Sequence, residues 1–76
     1  MNDWSLINAK ENQIVVISKI TLSDLKLKKR LIEFGFVSGE KLLIIKKSKV
    51  ASLMLVSVRG AMLGIDFSLC SNIFVF

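Results

Sequence analysis

Apolar positions along the chain change their period twice, and these changes predict strands on both sides of a single helix. Residues 14–20 are almost entirely β-branched, which favours a strand because such side chains lose χ1 freedom in a helix. Residues 53–58 alternate between two faces, as the side chains of a pleated strand do. The predicted strands cover residues 14–20, 40–47, 53–58, 61–65 and 73–76.

Between the first two of these strands the pattern becomes helical, over about residues 24–34. Residues 21–24 offer a cap at the start: Thr21-x-x-Asp24 has the form of a capping box, and Ser23 or Asp24 could equally cap the helix. One helical face is apolar and is predicted to meet the core. Its residues, spaced at i, i+4 and i+7, are Leu27, Leu31 and Phe34.

Two further apolar side chains, Leu25 and Ile32, align on a separate flank of this helix. One interpretation is structural: Leu25 precedes the helix, and Ile32 lies under a loop. The other interpretation is a patch that binds a partner. The pattern alone leaves both open.

Glycines are predicted to form the turns that flank the helix and the hairpin. Gly35 directly follows the helix, where a left-handed conformation is commonly needed, and Phe36 is placed to fold back onto the last helical turn. Gly39 begins a second reversal. Arg59-Gly60 is predicted to form a tight hairpin between two strands. Gly35, Phe36, Gly39 and Gly60 are therefore assigned as structural turn residues.

The composition indicates a small domain built on an apolar core. The chain has 76 residues, of which 53% are hydrophobic, with one cysteine and no histidine or proline. We predict one mainly β domain over 1–76, in which about five antiparallel strands form a small, bent barrel that protects its strand edges. The lone Cys70 favours a reducing compartment, so a cytoplasmic location is expected.

The charge is distributed unevenly along the chain. The net charge of +5 lies within residues 1–49, whereas residues 50–76 contain only Arg59 and Asp66 as charged side chains. A transmembrane helix over 50–76 is an alternative, since this segment is long enough to span a bilayer. It is disfavoured because both charges would lie mid-span and because β-branched residues, serines and glycines interrupt the run.

The residue types argue against catalysis and metal binding. The chain has no histidine, its cysteine has no partner base, and its six acidic residues are scattered singly. The same set cannot coordinate a metal ion within one chain. We therefore expect no catalytic residue, no metal site and no cofactor.

Nucleic acid is the main alternative partner on physical grounds, because a basic barrel could hold phosphates. Barrels that bind single strands stack bases on exposed aromatic side chains. Here the aromatic residues are not interleaved with lysines, and they are predicted to lie in the core. They are Trp4, Phe34, Phe36, Phe67, Phe74 and Phe76. A small basic nucleic-acid-binding barrel is kept as the alternative function, although no nucleic acid is expected.

Residues 30–42 read Arg-Leu-Ile-Glu-Phe-Gly-Phe-Val-Ser-Gly-Glu-Lys-Leu. They resemble the ferrous-iron transport protein A (FeoA) family, whose members carry an Arg-Leu-x-x-Leu-Gly-Leu-x-x-Gly core before a strand. The resemblance extends to Gly60 and to the closing Ile73-Phe74-Val75. Two places differ: Val50-Ala51-Ser52 lacks the family's Asp-Pro, and Asp66 stands where the family usually has Arg.

This resemblance implies an SH3-like barrel in the cytoplasm that serves as an accessory protein of ferrous iron uptake. The implied partner is the membrane GTPase that transports ferrous iron, bound through its cytoplasmic G domain, so contact with the membrane is only through that partner. A related barrel occurs in iron-dependent repressors, but a repressor is not expected, because this sequence shows no DNA-binding helical domain before the barrel. We expect docking through the helix, with apolar contact from Leu25 and Ile32 and charge from Lys26, Lys29 and Arg30.

Overall fold

The computed structural model describes residues 2–76, in which each paired strand runs antiparallel to its neighbours. Met1, the first residue of the predicted domain, lies outside the described residues. The elements are β1 (Trp4–Ser5), β2 (Ile14–Ile20), α1 (Leu25–Glu33), β3 (Lys41–Ser48), β4 (Leu53–Val58), β5 (Ala61–Asp66), α2 (Phe67–Cys70) and β6 (Ile73–Val75). A turn of 3-10 helix, Leu6–Asn8, follows β1.

The mainly β fold with one longer helix confirms the fold class predicted from the pattern. The pattern predicts five of the six strands, each to within one residue at either end. It misses β1, because two residues are too few to show a period. That strand is defined instead by its pairing with β6, which sets Trp4 opposite Val75 and Ser5 opposite Phe74.

Strand β2 is shared by two halves of the sheet, whose strand order is β1-β6-β2-β3-β4-β5. Its first residues, Ile14–Val16, pair with β3, and its later residues pair with β6. The register with β6 shifts between Ile17 and Lys19. Such an irregularity increases local twist, so the sheet bends at β2 and its two halves enclose the core.

The core is apolar, and no polar or charged side chain of residues 2–76 is buried. Strand β4 shows the predicted alternation: Met54, Val56 and Val58 are buried, whereas the side chains between them are not. Leu31 is the buried residue of α1. The largest fully buried side chains are Phe36, Leu6, Ile17, Leu42, Ile44, Met54 and Ile73.

The expectation that the aromatic side chains lie in the core is wrong for two of them. Phe34, which the helical pattern places on the core face, is 45% exposed. It is the C-cap residue of α1, and Gly35 redirects the chain directly after it, so that Phe36 and not Phe34 takes the core position at the helix end. Phe76, beyond the last strand, is also exposed, and Phe36 is the one aromatic side chain that is fully buried.

Most of the basic run at residues 46–49 belongs to a strand. Strand β3 continues through Ser48, and the turn itself lies at residues 49–52. Lys47 donates from its Nζ to the carbonyl oxygens of Ile7 and, at 3.2 Å, of Ala9. A lysine can occupy such a strand position because its aliphatic stem is half-buried while its ammonium group reaches polar partners.

Residues 50–76, for which a membrane span is the alternative, form three strands and a short helix. Within the part of the chain that the structure describes, no helix is long and apolar enough to cross a membrane. Strands β4, β5 and β6 contribute buried side chains to the core instead.

Asp66, the acidic residue found where the resemblance leads us to expect Arg, is the N-cap of α2. Its Oδ1 accepts hydrogen bonds from the Ser68 hydroxyl at 2.6 Å and from the Leu69 N–H at 2.8 Å. These hydrogen bonds lower the pKa of Asp66, with the Ser68 hydroxyl as the largest cause. The departure from the family pattern thus has a local structural role.

Candidate partner-binding surface

Helix α1 is capped at its start by Asp24, one of the capping candidates that the sequence offers. Asp24 has an extended backbone, and its Oδ1 accepts hydrogen bonds from the N–H groups of Lys26 at 3.1 Å and Leu27 at 3.2 Å. A side-chain cap of this kind typically stabilises a protein by about 1 kcal/mol. It also fixes the residue at which the helix starts, and therefore which side chains share each helical face.

The end of α1 is fastened by a pair of backbone hydrogen bonds. The Gly35 N–H donates to the Ile32 carbonyl and the Phe36 N–H donates to the Leu31 carbonyl, each at 2.9 Å. With Gly35 at a φ of 106°, this is the arrangement of a Schellman motif. Because Phe36 is buried in the core, the motif holds the helix end against the sheet.

The hairpin between β4 and β5 reaches the same corner. Arg59 and Gly60 have φ values of 51° and 80°, as a two-residue type I′ turn requires. The Arg59 Nε donates to the Glu40 Oε1 at 2.8 Å, and the Arg59 stem lies over Gly35. A Cβ atom at Gly35 would lie only 2.9 Å from the Arg59 Cδ. The hairpin therefore covers the helix exit.

The two apolar side chains of the second stripe are both exposed. Leu25 is 77% exposed and Ile32 is 44% exposed. Leu25 is the first residue of α1, so it does not precede the helix as the structural interpretation assumes. Neither side chain belongs to the buried core cluster.

The basic side chains of α1 have no carboxylate partner in residues 2–76. They are Lys26, Lys28, Lys29 and Arg30. The two ion pairs found in that range join Lys19 to Asp3 and Arg59 to Glu40. Two of the four basic residues lie in the first helical turn, where the helix dipole disfavours positive charge by roughly a few tenths of a kcal/mol. Helix stability therefore does not account for this charge.

A groove of about 300 Å³ lies between α1, the second half of β2 and the residues that follow the helix. Lys19 and Lys28 are its charged lining residues, and no acidic side chain lines it. Ser18 and Ser38 add hydroxyl groups. The apolar lining residues are Ile17, Ile20, Ile32, Phe36 and Val37.

The five residues predicted to dock a partner lie on two different sides of the helix. Ile32 lines the groove, and Leu25 and Lys29 lie seven and three positions before it, on the same side of the helix. Lys26 and Arg30 lie one turn apart on another side. There Arg30 lines a second depression, together with Glu33 and Phe34.

Sequence reasoning missed most of the groove's lining residues, among them Lys28, Lys19 and Val37. Lys28 could have been found, because it lies four positions before Ile32 and therefore on the same helical face. Lys19 and Val37 carry no such signal. They come to the groove only because the bent sheet places β2 beside the exit of α1.

The residues offer little for covalent or metal chemistry. Cys70 is buried, and this burial is the main cause that raises the pKa of its thiol to about 11. The thiol is therefore protonated at neutral pH and is not a nucleophile. Within residues 2–76 there is no group of three or more side chains that could hold a metal ion.

Comparisons with known proteins agree on one family and one fold. A protein-family model described as "FeoA domain" matches residues 4–75. A search of curated protein sequences found no match.

Solved structures share the fold at low sequence identity. A FeoA-like protein from Clostridium acetobutylicum has a TM-score of 0.84 and 20% identity, with 100% of this chain and 87% of that chain covered. FeoA of Stenotrophomonas maltophilia complexed with zinc, described as an SH3 domain protein, has a TM-score of 0.82 and 23% identity, over 95% of this chain and 88% of that chain. A manganese-dependent transcriptional repressor has a TM-score of 0.89 and 14% identity, but this chain corresponds to only 37% of its length.

The bent antiparallel sheet and the helix docked at its corner define a small SH3-like domain, as expected from the resemblance. The matched model covers nearly the whole chain. The chain belongs to the FeoA domain family, which links it to ferrous iron transport.

Proposed function

We propose that this protein is an accessory factor of ferrous iron uptake that acts in the cytoplasm. In this proposal it binds the cytoplasmic G domain of the membrane transporter of ferrous iron and supports or regulates that transporter. Family membership supports the link to iron uptake. A solved relative, FeoA of Stenotrophomonas maltophilia, is described as possibly acting as a ferrous iron transport activating factor.

The observation that carries the proposal is the exposed face of α1, where apolar side chains lie beside basic side chains without carboxylate partners. The residue types favour action through a partner over handling of iron, since the chain has no histidine and its one cysteine is buried. A role in transport would then be exerted through another protein.

Two kinds of side chain would contribute to binding in different ways. Burying Leu25 and Ile32 in an interface would each contribute up to about 1.5–3 kcal/mol. The basic side chains would steer an acidic partner surface and set its orientation. Because α1 is fastened at its exit, little ordering of the helix would oppose binding.

The test measures binding of the transporter's cytoplasmic domain to the wild-type protein and to a Leu25→Ser/Ile32→Ser variant. We expect the variant to bind at least about tenfold more weakly, because it loses both apolar contacts. Its melting temperature should stay close to that of the wild type. Met62→Ser, at an exposed position on β5, is the matched control and should change neither property. A wild-type protein that does not bind the domain would refute the proposal, and a variant that does not fold would place the two residues in the core.

A basic barrel that binds single-stranded nucleic acid is the second candidate function. It is favoured by the exposed Phe34, which lies beside Arg30 at the second depression and offers a surface for base stacking. Titration with single-stranded DNA at about 50 mM and about 200 mM salt tests this function, because phosphate contacts give steeply salt-dependent affinity. Binding that is lost in Phe34→Ala would support it. Absence of binding at the lower salt concentration would exclude this second function.

A further inference from the structure

Strand β2 has a free edge beside α1. On the side away from β6, Ile14–Val16 pair with β3, and Ile17 exchanges hydrogen bonds of 2.8 Å with the Gly39 N–H and the Glu40 carbonyl. Beyond Ile17, residues 18–20 pair only with β6, and no other backbone hydrogen bond of residues 2–76 reaches them. Since backbone groups alternate in direction along a strand, some of theirs point away from β6 without a partner.

The groove lies along this free edge, with α1 as its opposite wall. Its volume, about 300 Å³, is at the lower end of the range of about 300–1,000 Å³ for ligand pockets. Its lining is mostly apolar, from both β2 and the helix exit. A site of this size and shape accommodates one or two apolar side chains of an extended segment better than a large enclosed ligand.

The charge at the groove selects an acidic occupant. Lys28 has no ion-pair partner among the described residues, and Lys29 lies on the same side of the helix. On the opposite wall, Lys19 forms an ion pair with Asp3, with 3.8 Å between the Lys19 Nζ and the Asp3 Oδ2. Asp3 also accepts a hydrogen bond from the Ser18 hydroxyl. Because no carboxylate of the described residues lines the groove and Lys28 is unpaired there, an acidic segment would meet complementary charge on the helix wall.

We propose that the groove binds an acidic segment of the transporter's cytoplasmic region in an extended conformation, adding it as a strand to the edge at residues 18–20. Strand addition draws affinity from main-chain hydrogen bonds and specificity from pockets for alternate side chains. Here the pocket is the apolar groove, and the lysines select acidic side chains. This inference rests on the function proposed above, since it names the segment type through which the same partner is held.

Hydrogen exchange of the protein, alone and bound to the detergent-solubilised transporter, tests the geometry. Among residues 18–20, strand addition should slow exchange at least about tenfold at the amides that point away from β6, because these amides gain partners. Docking on the outer helix face alone would leave these amides unchanged. A complex that forms without protection of residues 18–20 overturns the groove proposal and leaves the proposed function in place.

Charge variants test the acidic character of the segment. Lys28→Glu should weaken binding of the same transporter at least about tenfold, and Lys28→Gln should weaken it less, because it removes attraction without adding repulsion. Lys49→Glu, in the exposed turn after β3, makes the same change in net charge away from the groove and should bind like the wild type. Equal affinities for Lys28→Glu and Lys49→Glu would overturn the proposal. No binding of the transporter by the wild-type protein would overturn both proposals.

Discussion

The exit of helix α1 and its outer face differ in how they contact the rest of the molecule. The exit is attached to the core, whereas the outer face is exposed. At its exit the helix is held by the Schellman hydrogen bonds, by buried Phe36 and by the covering Arg59 stem. On its outer face, Leu25 and Ile32 are exposed, and the basic side chains have no ion-pair partner among residues 2–76. A helix that is positioned by its exit does not need to bury its outer face. That face is therefore available for residues whose role is binding.

Phe36→Ala is expected to cause the largest loss of stability, because it weakens the attachment of the helix exit. It removes the buried side chain that holds the helix exit, and truncations of this kind typically cost about 3–5 kcal/mol. Urea denaturation followed by circular dichroism measures the loss. Phe34→Ala, two positions earlier and exposed, is the matched control and should cost less than about 1 kcal/mol. Equal losses in the two variants would mean that the exit is not the stronger attachment.

Gly35→Ala is expected to cost about 1–3 kcal/mol, because an L side chain is strained at a φ of 106°. The new Cβ would also press on the Arg59 stem, although that stem is flexible and can move. Gly64→Ala is the control, since a Cβ there meets nothing within 4 Å. Thermal denaturation of both variants gives the comparison. A melting temperature unchanged in Gly35→Ala would contradict the positive φ assigned to this residue.

Most of the structure at the helix exit can be predicted from the sequence, but less of the groove can. Strand β4 is predictable because burial alternates residue by residue, and the exit of α1 is predictable because Gly35 and Phe36 have the chemistry of a helix end. The exposure of Phe34 cannot be predicted in this way, because it depends on where the helix ends. The groove forms only when β2 and the helix exit are brought together, and no local pattern predicts that Lys19 and Val37 line the same groove.

Arg59→Ala tests the weaker part of the attachment. Its ion pair with Glu40 is short but partly exposed, so we expect a loss of about 0–1 kcal/mol. Removal of the stem that covers Gly35 adds to this loss. Urea denaturation at low and high salt separates the two contributions, because only the ion pair is screened. A loss as large as that of Phe36→Ala would show that the hairpin, and not the core side chain, holds the helix exit.

Leu25→Ser is expected to have the smallest effect on stability, and this is the most direct test of the free face. Leu25 is the most exposed apolar residue of α1, so its replacement should change the free energy of unfolding by no more than about 0.5 kcal/mol, mainly through helix propensity. Leu31→Ser, on the buried face of the same helix, is the matched control and should cost several kcal/mol, roughly as other core truncations do. If Leu25→Ser instead cost as much as Leu31→Ser, the outer face would be part of the fold, and the contrast between a fastened exit and a free face would not hold. If it cost little and still weakened transporter binding, the side chain would be present for the partner and not for the helix.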